Sequence, residues 1–498
     1  SATRRGVLLS VAALGVIAAG VAAVAVGVGG VRTAFCVPGG ELPGGVEVAR
    51  SCSYVADGPG AVVAVLFCAL TLGVLALSAS VLRGGASVAA GGASADSAGA
   101  SADGGERALP AGEYCFLLLC SLTGGVVLGY SRDLITLLVA LETLTLPLYV
   151  LVGLRRVVTS SVTGAINFFV VSVISTTVTL MGAALLYALT GAVHLDRLAG
   201  ALTERGELRD LPLAAAATVL VLVGLAFKVA AVPFHAWAPG TYDGAPLPVA
   251  AYLSTASKLG GVIALLYVVV GALRPWLDVV GPALAALAVL TMTVGNLVAL
   301  RQSRLVRLLA WSSVAQAGYI LAPLGAFALL AGRADEAVGI AVTATLAYTV
   351  FYVLIELGAF GAVVGMRGAA DGGSIEELRG AAYRTPWLAA AFALALTGLA
   401  GLPPGLAGLF AKIAVVRALL EGSAGWLAVI VALNAVVGLA YYVRVGALLY
   451  RPGAHEAGPP PRVPLPVTLA VLGATAAALV VGFAPQLVID AAEAAAGF

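Results

Sequence analysis

The three lysines of this chain lie inside apolar stretches, whereas its arginines lie mostly between them. The chain has 498 residues. Its 27 basic residues are three lysines, Lys228, Lys258 and Lys412, and 24 arginines. Arginine keeps its proton at any accessible pH, but a desolvated lysine can release its proton. Lysine used only in apolar surroundings therefore indicates sites where protons bind and leave.

Glu142 is a carboxylate in an equally apolar stretch. It has no charged neighbour between Asp133 and Arg155. An ionisable side chain at bilayer depth indicates a functional site by default, and Lys228 is the partner that we expect for it. The alternative is an ion pair that only joins two helices, which is a costly device because desolvation of the charges can exceed their attraction.

Pro233 follows Lys228 closely and predicts that the helix breaks just after the lysine, because proline lacks a backbone N–H and clashes with the preceding turn. A broken span is tolerated at bilayer depth only where it is buried in protein or lines a water-filled cavity. The break therefore favours a hydrated path at Lys228. His235 comes next, and its unperturbed pKa near neutrality would let it pass a proton toward Lys258. The alternative for His235 is a hydrogen-bonded histidine at a helix end.

A second break is predicted before Lys412, where Pro403 and Pro404 stand among glycines. Here the lysine follows the break, whereas Lys228 precedes its own. Three hydroxyl side chains close to Lys258 in sequence could hold water near its amine, namely Ser254, Thr255 and Ser257. We therefore expect the three amines to lie along a hydrated route.

Two acidic residues remain outside this scheme. Glu356 is an isolated carboxylate in an apolar stretch, and two interpretations of it weigh equally: a member of the proton relay, or the partner of Arg444 or Arg417. Asp243 lies in a segment rich in Gly and Pro and is expected to cap the helix that follows.

The elements that position these residues must be membrane helices. The chain is 61% hydrophobic and 10% charged, with a mean hydropathy of +1.05, whereas about 25% of the residues in soluble domains are charged. A span needs about 20 apolar residues. We predict an all-α, polytopic membrane protein with thirteen spans, at 6–30, 59–82, 113–131, 133–153, 162–190, 211–232, 247–272, 277–300, 305–330, 337–366, 386–419, 425–450 and 464–489.

The loops between the spans differ in their arginine content. Alternate loops contain fourteen arginines in one set and eight in the other, and the richer set is expected on the cytoplasmic side. That orientation places Cys36 and Cys52 outside, where they either form a disulfide or remain two thiols. Residues 84–108 consist largely of Gly, Ala and Ser and are predicted to form a flexible cytoplasmic linker.

Polar residues within the spans suggest an internal repeat. Three of them in the first half have counterparts at similar spacing in the second half: Glu142, Lys228 and Lys258 correspond to Gln316, Lys412 and Arg444. Two five-helix units, 113–272 and 277–450, would place them at matching depths. Because five is odd, the second unit would run in the opposite sense, as in inverted-repeat transporters. Residues 1–112 then contain the N-terminal helices and the linker, and 451–498 contain a loop and the last helix.

Composition and motifs argue against several other classes of function. The net charge of +2 and the lack of a basic stripe with interleaved aromatics disfavour nucleic-acid binding. The five cysteines have no metal-ligand spacing, and no phosphate loop, haem or flavin motif or iron–sulfur cysteine cluster occurs. The energy for proton movement, about 2.3 kcal/mol against 100 mV, would have to come from elsewhere. An intramembrane hydrolase built on His235 and Asp243 lacks a convincing nucleophile.

Four stretches carry a specific pattern: GLAFKVAAVPFHAWAPGTYDGAPLPVAAYLSTASKLG, DLITLLVALETLTLPLYVLVGLRR, RLVRLLAWSSVAQAGY and LTGLAGLPPGLAGLFAK. They resemble the antiporter-like membrane subunits of proton-pumping NADH-quinone oxidoreductase, respiratory complex I. The similarity covers nearly the whole chain. The set of Glu142, Lys228, Lys258 and Lys412 is most similar to the subunit N type, because related subunits carry histidine in place of Lys258 or glutamate in place of Lys412.

The resemblance implies two inverted five-helix repeats, two broken transmembrane helices and one proton channel. Glu142, Lys228, Lys258 and Lys412 would transfer protons, with His235 beside them, and no cofactor is expected in this chain. NADH, FMN, iron–sulfur clusters and quinone would belong to partner subunits. The neighbours would be the antiporter-like subunits M and L and the small subunits K, J, A and H, in the bilayer of a bacterial plasma membrane.

The chain departs from the family pattern at two points. Gln316 stands where family members often have histidine in the motif SSxxHxGY, so the relay would run there through water or through Glu356. One span fewer is found than the fourteen of the family, and the missing one would be the first. The alternative to complex I is a subunit of a multisubunit cation/proton antiporter, which would work without quinone reduction.

Overall fold

The computed structural model describes residues 2–42, 45–83, 109–155, 158–368, 371–452 and 463–496, and the predicted linker 84–108 lies outside them. The α-helices of the described chain are α1 (Ala2–Val28), α2 (Gly58–Arg83), α3 (Ala111–Tyr130), α4 (Leu134–Val152), α5 (Thr159–Thr190), α6 (Leu195–Glu204), α7 (Pro212–Lys228), α8 (Trp237–Gly244), α9 (Leu247–Tyr252), α10 (Lys258–Leu266), α11 (Leu277–Ala299), α12 (Leu305–Leu321), α13 (Asp335–Arg367), α14 (Ala381–Arg384), α15 (Pro386–Ala400), α16 (Leu406–Glu421), α17 (Gly425–Tyr450), α18 (Leu465–Phe483) and α19 (Gln486–Ala495). Two π-helical segments, Leu253–Ser257 and Tyr267–Ala272, flank α10.

Among the described residues, eleven helical spans are long and apolar enough to cross a membrane. The prediction of an all-α, polytopic membrane protein is therefore confirmed. One of the eleven, Leu247–Ala272, is a continuous span that joins α9 and α10 through π-helical turns. The two other predicted spans, 211–232 and 386–419, are interrupted, and each begins with a shorter apolar helix. The last span ends earlier than predicted, because a turn at Pro485 separates α18 from α19.

Burial separates the helices into an interior and a periphery. The span Leu247–Ala272 is completely enclosed by other helices, and α12 and α13 are mostly enclosed, whereas α1 and α18 are mostly exposed. Lys258 and Glu356 belong to these enclosed elements. The structure therefore holds both groups in the interior of the helix bundle, away from the surface that would meet lipid.

The loop after α1 forms two small antiparallel sheets, which the sequence did not predict. β1 (Arg32–Val37) pairs with β4 (Ser51–Ala56), and β2 (Gly40–Leu42) pairs with β3 (Val46–Val48). Cys36 lies opposite Cys52, and the two form a disulfide. Arg197 of α6 holds this segment in place, because its guanidinium donates to the carbonyls of Val37, Pro38 and Ala49 at 2.7–3.0 Å.

Ion pairs group the loops into two sets that agree with the alternation predicted from the arginine counts. In the set predicted to lie outside, Arg132 pairs with Asp57 at 2.6 Å. In the set predicted to be cytoplasmic, Arg304 pairs with Asp371 of another loop at 3.0 Å, and Arg367 pairs with Glu377 of its own loop at 2.6 Å. The Ser374 backbone N–H, which donates to this glutamate at 2.9 Å, holds the pKa of Glu377 below its usual range, and Arg367 adds to that effect. Which set faces the cytoplasm stays a prediction.

Asp243 does not cap the following helix, so that prediction was wrong. It lies inside α8, and the N-terminal cap position of α9 is occupied by Pro246. Both Asp243 oxygens accept from Nε of Arg304, at 2.8 and 2.9 Å. Arg304 directly precedes α12, and a charged partner satisfies a carboxylate better than a helix end does. The pair ties the second half of the broken helix to the start of α12.

Candidate functional site

Glu142 of α4 and Lys228 of α7 form an ion pair, as the sequence predicted. The Lys228 amine donates to Oε1 of Glu142 at 2.6 Å. The Thr176 hydroxyl donates to the same oxygen at 2.5 Å, and the amine also donates to Ser172 Oγ at 3.3 Å. The Lys228 side chain is 6% exposed and that of Glu142 is 21% exposed. The amine is therefore held in the interior, while the carboxylate reaches the surface of the chain.

Hydroxyl groups around this pair were not identified from the sequence. Tyr149 OH donates to Ser172 Oγ at 2.5 Å, which extends the hydrogen-bonded network from α5 to α4. The spacing of these residues in the sequence could have identified them. Ser172 and Thr176 are four residues apart and so share one face of α5, and Tyr149 follows Glu142 by seven residues on α4.

The helix breaks where Pro233 predicted. α7 ends at Lys228, and Ala230 adopts a positive φ of 59°. The amides freed by the break find partners: the Ala231 N–H donates to the Ala226 carbonyl at 2.8 Å, and the Val232 N–H donates to Thr291 Oγ1 of α11 at 2.9 Å. Since backbone groups at membrane depth must be satisfied, these contacts explain how an irregular segment persists beside Lys228.

Lys258 is the first residue of α10, directly after the π-helical segment Leu253–Ser257, and it is 3% exposed. Its amine donates to the Ser313 carbonyl of α12, and it lies 5.5 Å from the centroid of the Tyr352 ring. A Cβ on Gly261 would come within 2.8 Å of the Lys228 carbonyl oxygen. This close approach, which glycine permits, brings the backbone of α10 against the end of α7.

Two of the three hydroxyl neighbours predicted for Lys258 are engaged elsewhere. Ser254 and Thr255 both donate to the Ala251 carbonyl, at 3.0 and 2.7 Å. Hydroxyls in a helix satisfy themselves on the preceding turn unless a better partner is near. The amine of Lys258 therefore meets α12 instead of the hydroxyls of its own helix.

His235 is half-buried and packs against Trp311, with ring centroids 5.0 Å apart. Its Nδ1 atom is buried and has no hydrogen-bond partner among the described residues. The structure shows no hydrogen bond between His235 and Lys258 in this part of the chain. The contact through which His235 would pass a proton is thus absent, and a role for it stays a prediction.

Lys412 extends its amine back across the second break. Nζ donates to the carbonyls of Leu399 and Ala400, at 2.9 and 2.6 Å, where α15 ends. The carboxyl end of a helix carries partial negative charge, which favours a cation there. Lys228 is the last residue of α7. Both lysines are therefore associated with the carboxyl end of a half-helix, although one precedes its break in sequence and the other follows it.

Gly401 is required for this position of the Lys412 amine. Its φ is +80°, and a Cβ on it would come within 2.7 Å of Lys412 Nζ. We expect Gly401→Ala to lower stability by about 1–2 kcal/mol through the left-handed backbone alone, and to displace the amine and reduce proton transport. Thermal unfolding and transport measurements on reconstituted protein test this. Gly339→Ala is the control, because a Cβ there meets nothing within 4 Å; equal effects of the two changes would contradict the prediction.

Gln316 lies next to Lys412, because both side chains donate to the same backbone carbonyl. Its side-chain amide nitrogen donates to the Leu399 carbonyl and to Tyr442 OH, both at 3.1 Å, and its oxygen accepts from Tyr348 OH at 2.6 Å. Leu399 O is thus shared by Gln316 and Lys412. The sequence missed these two tyrosines.

Glu356 has neither of the arginine partners considered for it. Arg444 donates to the carbonyls of Leu300 and Gln302, and Arg417 is exposed. Glu356 is 0% exposed, and neither of its carboxylate oxygens has a hydrogen-bond partner among the described residues. Its pairing with either arginine was therefore wrong. Among the described residues Glu356 also forms no ion pair with Lys258, which belongs to the enclosed helix α10.

Residues 131–438 match the family described as NADH:quinone oxidoreductase/Mrp antiporter, TM. NADH-quinone oxidoreductase subunit N of Salinispora tropica is 58% identical, with 98% of this chain and 93% of that protein covered. Subunit N 2 of Streptomyces griseus is 41% identical over 97% of this chain and 87% of its own length.

Two solved structures have the same fold. A chain in respiratory complex I from Thermus thermophilus with bound aureothin gives a TM-score of 0.74 at 29% identity, covering 98% of this chain and 94% of that one. A chain of the Mrp complex from Dietzia gives a TM-score of 0.79 at 23% identity, covering 99% and 93%. At that identity the second likeness shows the fold alone. The chain belongs to the subunit N family of the NADH-quinone oxidoreductases, a group of antiporter-like membrane proteins.

Proposed function

We propose that this chain is a proton-translocating membrane-arm subunit of an NADH:quinone oxidoreductase in a bacterial plasma membrane. Quinone reduction in other subunits would drive proton transfer through Glu142, Lys228, Lys258 and Lys412. One observation carries the proposal: a buried amine at a helix break is paired with a carboxylate that reaches the surface of the chain. Membership of the subunit N family supports it.

The Glu142–Lys228 pair supplies the switching element. In contact, the carboxylate stabilises the ammonium form of Lys228 in apolar surroundings. Removing one partner of a buried ion pair costs about 3–5 kcal/mol, which exceeds the roughly 2.3 kcal/mol needed to move a proton against 100 mV. Withdrawal of Glu142 would therefore expel the proton. Because the carboxylate is the more exposed half of the pair, it is the half that we expect to move.

The released proton would pass through Lys258 to Lys412 and then to the outside. Both amines are held by backbone carbonyls and form no ion pair with any described residue. A carbonyl accepts from a neutral amine as well as from an ammonium, so each lysine can remain in place in either protonation state. His235 is a possible neighbour of the route.

The repeat is part of the proposal. Residues 113–272 and 277–450 would be two inverted five-helix units, preceded by 1–112 and followed by 451–498. The association of a lysine with the carboxyl end of a half-helix in each unit supports this division. NADH, FMN, iron–sulfur clusters and quinone would be bound by other subunits, among them M, L, K, J, A and H as membrane neighbours.

Purification of the tagged chain from its native membrane, followed by reconstitution, tests the function. We expect redox subunits to co-purify, and vesicles to acidify when NADH and a quinone are added. The family also includes Mrp antiporters, which makes a cation/proton antiporter the competing function. Sodium-dependent proton transport in the absence of NADH-oxidising subunits would establish the antiporter and contradict the proposal.

A further inference from the structure

We infer that Glu356 is an additional proton-binding residue, which carries the proton between Lys258 and Lys412. This inference rests on the proposed function and extends it to a residue that the family pattern did not assign. Its starting point is the position of Glu356 in the middle of α13, where it is 0% exposed and both carboxylate oxygens lack a partner among the described residues.

A buried carboxylate without a donor is unstable as an anion. Taking an isolated charge out of water costs several kcal/mol, and a group in that situation binds a proton instead. Burial without a partner therefore favours the protonated form of Glu356, whereas an ion-paired glutamate would favour the carboxylate. The matching source is Lys258, whose amine donates to the Ser313 carbonyl; the hydroxyl of the same Ser313 is hydrogen-bonded to Tyr352 OH at 2.8 Å, one helical turn before Glu356.

The surroundings of Glu356 connect both lysines. Tyr352 precedes it by one turn of α13, and the Lys258 amine lies 5.5 Å from the ring of Tyr352. Ser312, the residue before Ser313, is hydrogen-bonded to Tyr442 OH of α17 at 2.5 Å. Tyr442 OH accepts from Gln316, which shares the Leu399 carbonyl with Lys412. Hydroxyl groups of α12, α13 and α17 thus lie between Lys258 and the neighbours of Lys412, and the Glu356 carboxylate is hydrogen-bonded to none of them among the described residues.

The polar side chains that α12 contributes between the lysines do not bind a proton. α12 contributes Ser312, Ser313 and Gln316, and neither a hydroxyl nor an amide is protonated near neutral pH. Gln316 is moreover fixed, because its nitrogen donates to two acceptors and its oxygen accepts from Tyr348. Glu356 carries a carboxyl group, so it can hold the proton that Gln316 cannot.

The chemistry balances in two steps. In the first, an N–H bond of the Lys258 ammonium breaks and an O–H bond forms on the Glu356 carboxylate, which leaves both groups neutral. In the second, that O–H bond breaks and the neutral Lys412 amine gains an N–H bond, with water carrying the proton between the two groups. The first step removes two opposite charges that are not in contact, which is favourable in an apolar interior.

Glu356→Gln in the assembled complex tests the inference. We expect the rate of coupled proton pumping to fall on the order of tenfold or more, because a positioned acid–base group typically contributes at least about a hundredfold and water can replace part of it. Glu356→Asp keeps a carboxyl group and should pump faster than the glutamine variant. Glu421→Gln, at the exposed end of α16, should pump like the wild type.

Infrared difference spectroscopy during turnover supplies an independent measurement. We expect a protonated-carboxyl band that is lost in Glu356→Gln and retained in Glu421→Gln. An unchanged band together with unchanged pumping in Glu356→Gln would overturn the inference. If the glutamine variant does not assemble, a shifted carboxyl band in Glu356→Asp supports the inference and an unshifted band overturns it. Normal pumping by Glu356→Gln combined with loss of pumping in Lys228→Arg would leave the proposed function standing and remove only the role of Glu356.

Discussion

Replacing Lys228 with arginine is expected to abolish coupled proton pumping while the complex still assembles. Arginine preserves the positive charge next to Glu142 and can donate to it and to Ser172, which are the partners of Lys228. It cannot release its proton at any accessible pH, so withdrawal of the carboxylate would expel nothing. Acidification of reconstituted vesicles on addition of NADH and quinone measures the effect, and NADH oxidation with an artificial acceptor reports on assembly.

Ser172→Ala is the companion variant for this experiment. It removes the longer hydrogen bond of the amine, at 3.3 Å, and leaves the ion pair intact at 2.6 Å. We expect its pumping rate to stay within about a factor of ten of the wild type, because this long hydrogen bond from a charged donor contributes about 1.5 kcal/mol, which corresponds to about tenfold in rate. Wild-type pumping by Lys228→Arg would refute the role of Lys228.

Glu142→Gln has the second large expected effect. The amide keeps an oxygen that Lys228 and Thr176 can donate to, but it carries no charge, so the buried ammonium loses about 3–5 kcal/mol of compensation. Lys228 would then stay neutral through the cycle, and pumping should fall by at least about tenfold, because 1.4 kcal/mol already corresponds to a factor of ten. Initial rates of vesicle acidification measure this.

Glu113→Gln provides the matched control for that change. Glu113 lies in the first turn of α3 and is exposed, so neutralising it should leave pumping unchanged. Equal pumping by Glu142→Gln and Glu113→Gln would mean that the ion pair only joins α4 to α7. That outcome would favour the structural interpretation of the pair.

The sequence predicted the features that follow from local rules. Pro233 lacks a backbone N–H and clashes with the preceding turn, so a break close to Lys228 could be expected without a structure, although Pro147 stands inside the unbroken helix α4. Glu142 and Lys228 are charged residues in apolar surroundings, and such groups seek each other because the alternative is an isolated buried charge. Their pairing across 86 positions was therefore predictable from type and context.

Other features depend on contacts that no local pattern reveals. Lys412 follows its break, but the flexibility of its side chain returns the amine to the end of α15. Asp243 was predicted to cap a helix from its local sequence, but in the fold it pairs with Arg304, which is distant in sequence. The strands between Arg32 and Ala56 are short and lie in a loop with many small and polar residues, where alternation is weak. By residue type alone, Arg444 could have been the partner of Glu356. In the structure the Arg444 guanidinium donates to backbone carbonyls instead.

The central claim is that buried amines exchange protons, and Lys258→Arg tests it most directly. Lys258 is 3% exposed, and its amine donates to a backbone carbonyl. It forms no ion pair with a carboxylate among the described residues. A structural ion pair therefore does not explain this lysine, and proton exchange is the role that we assign to it. The measurement is the number of protons delivered into vesicles per NADH oxidised by the reconstituted complex. We predict a proton yield near background with normal assembly. A wild-type yield from an arginine at position 258, which stays protonated throughout, would contradict the account.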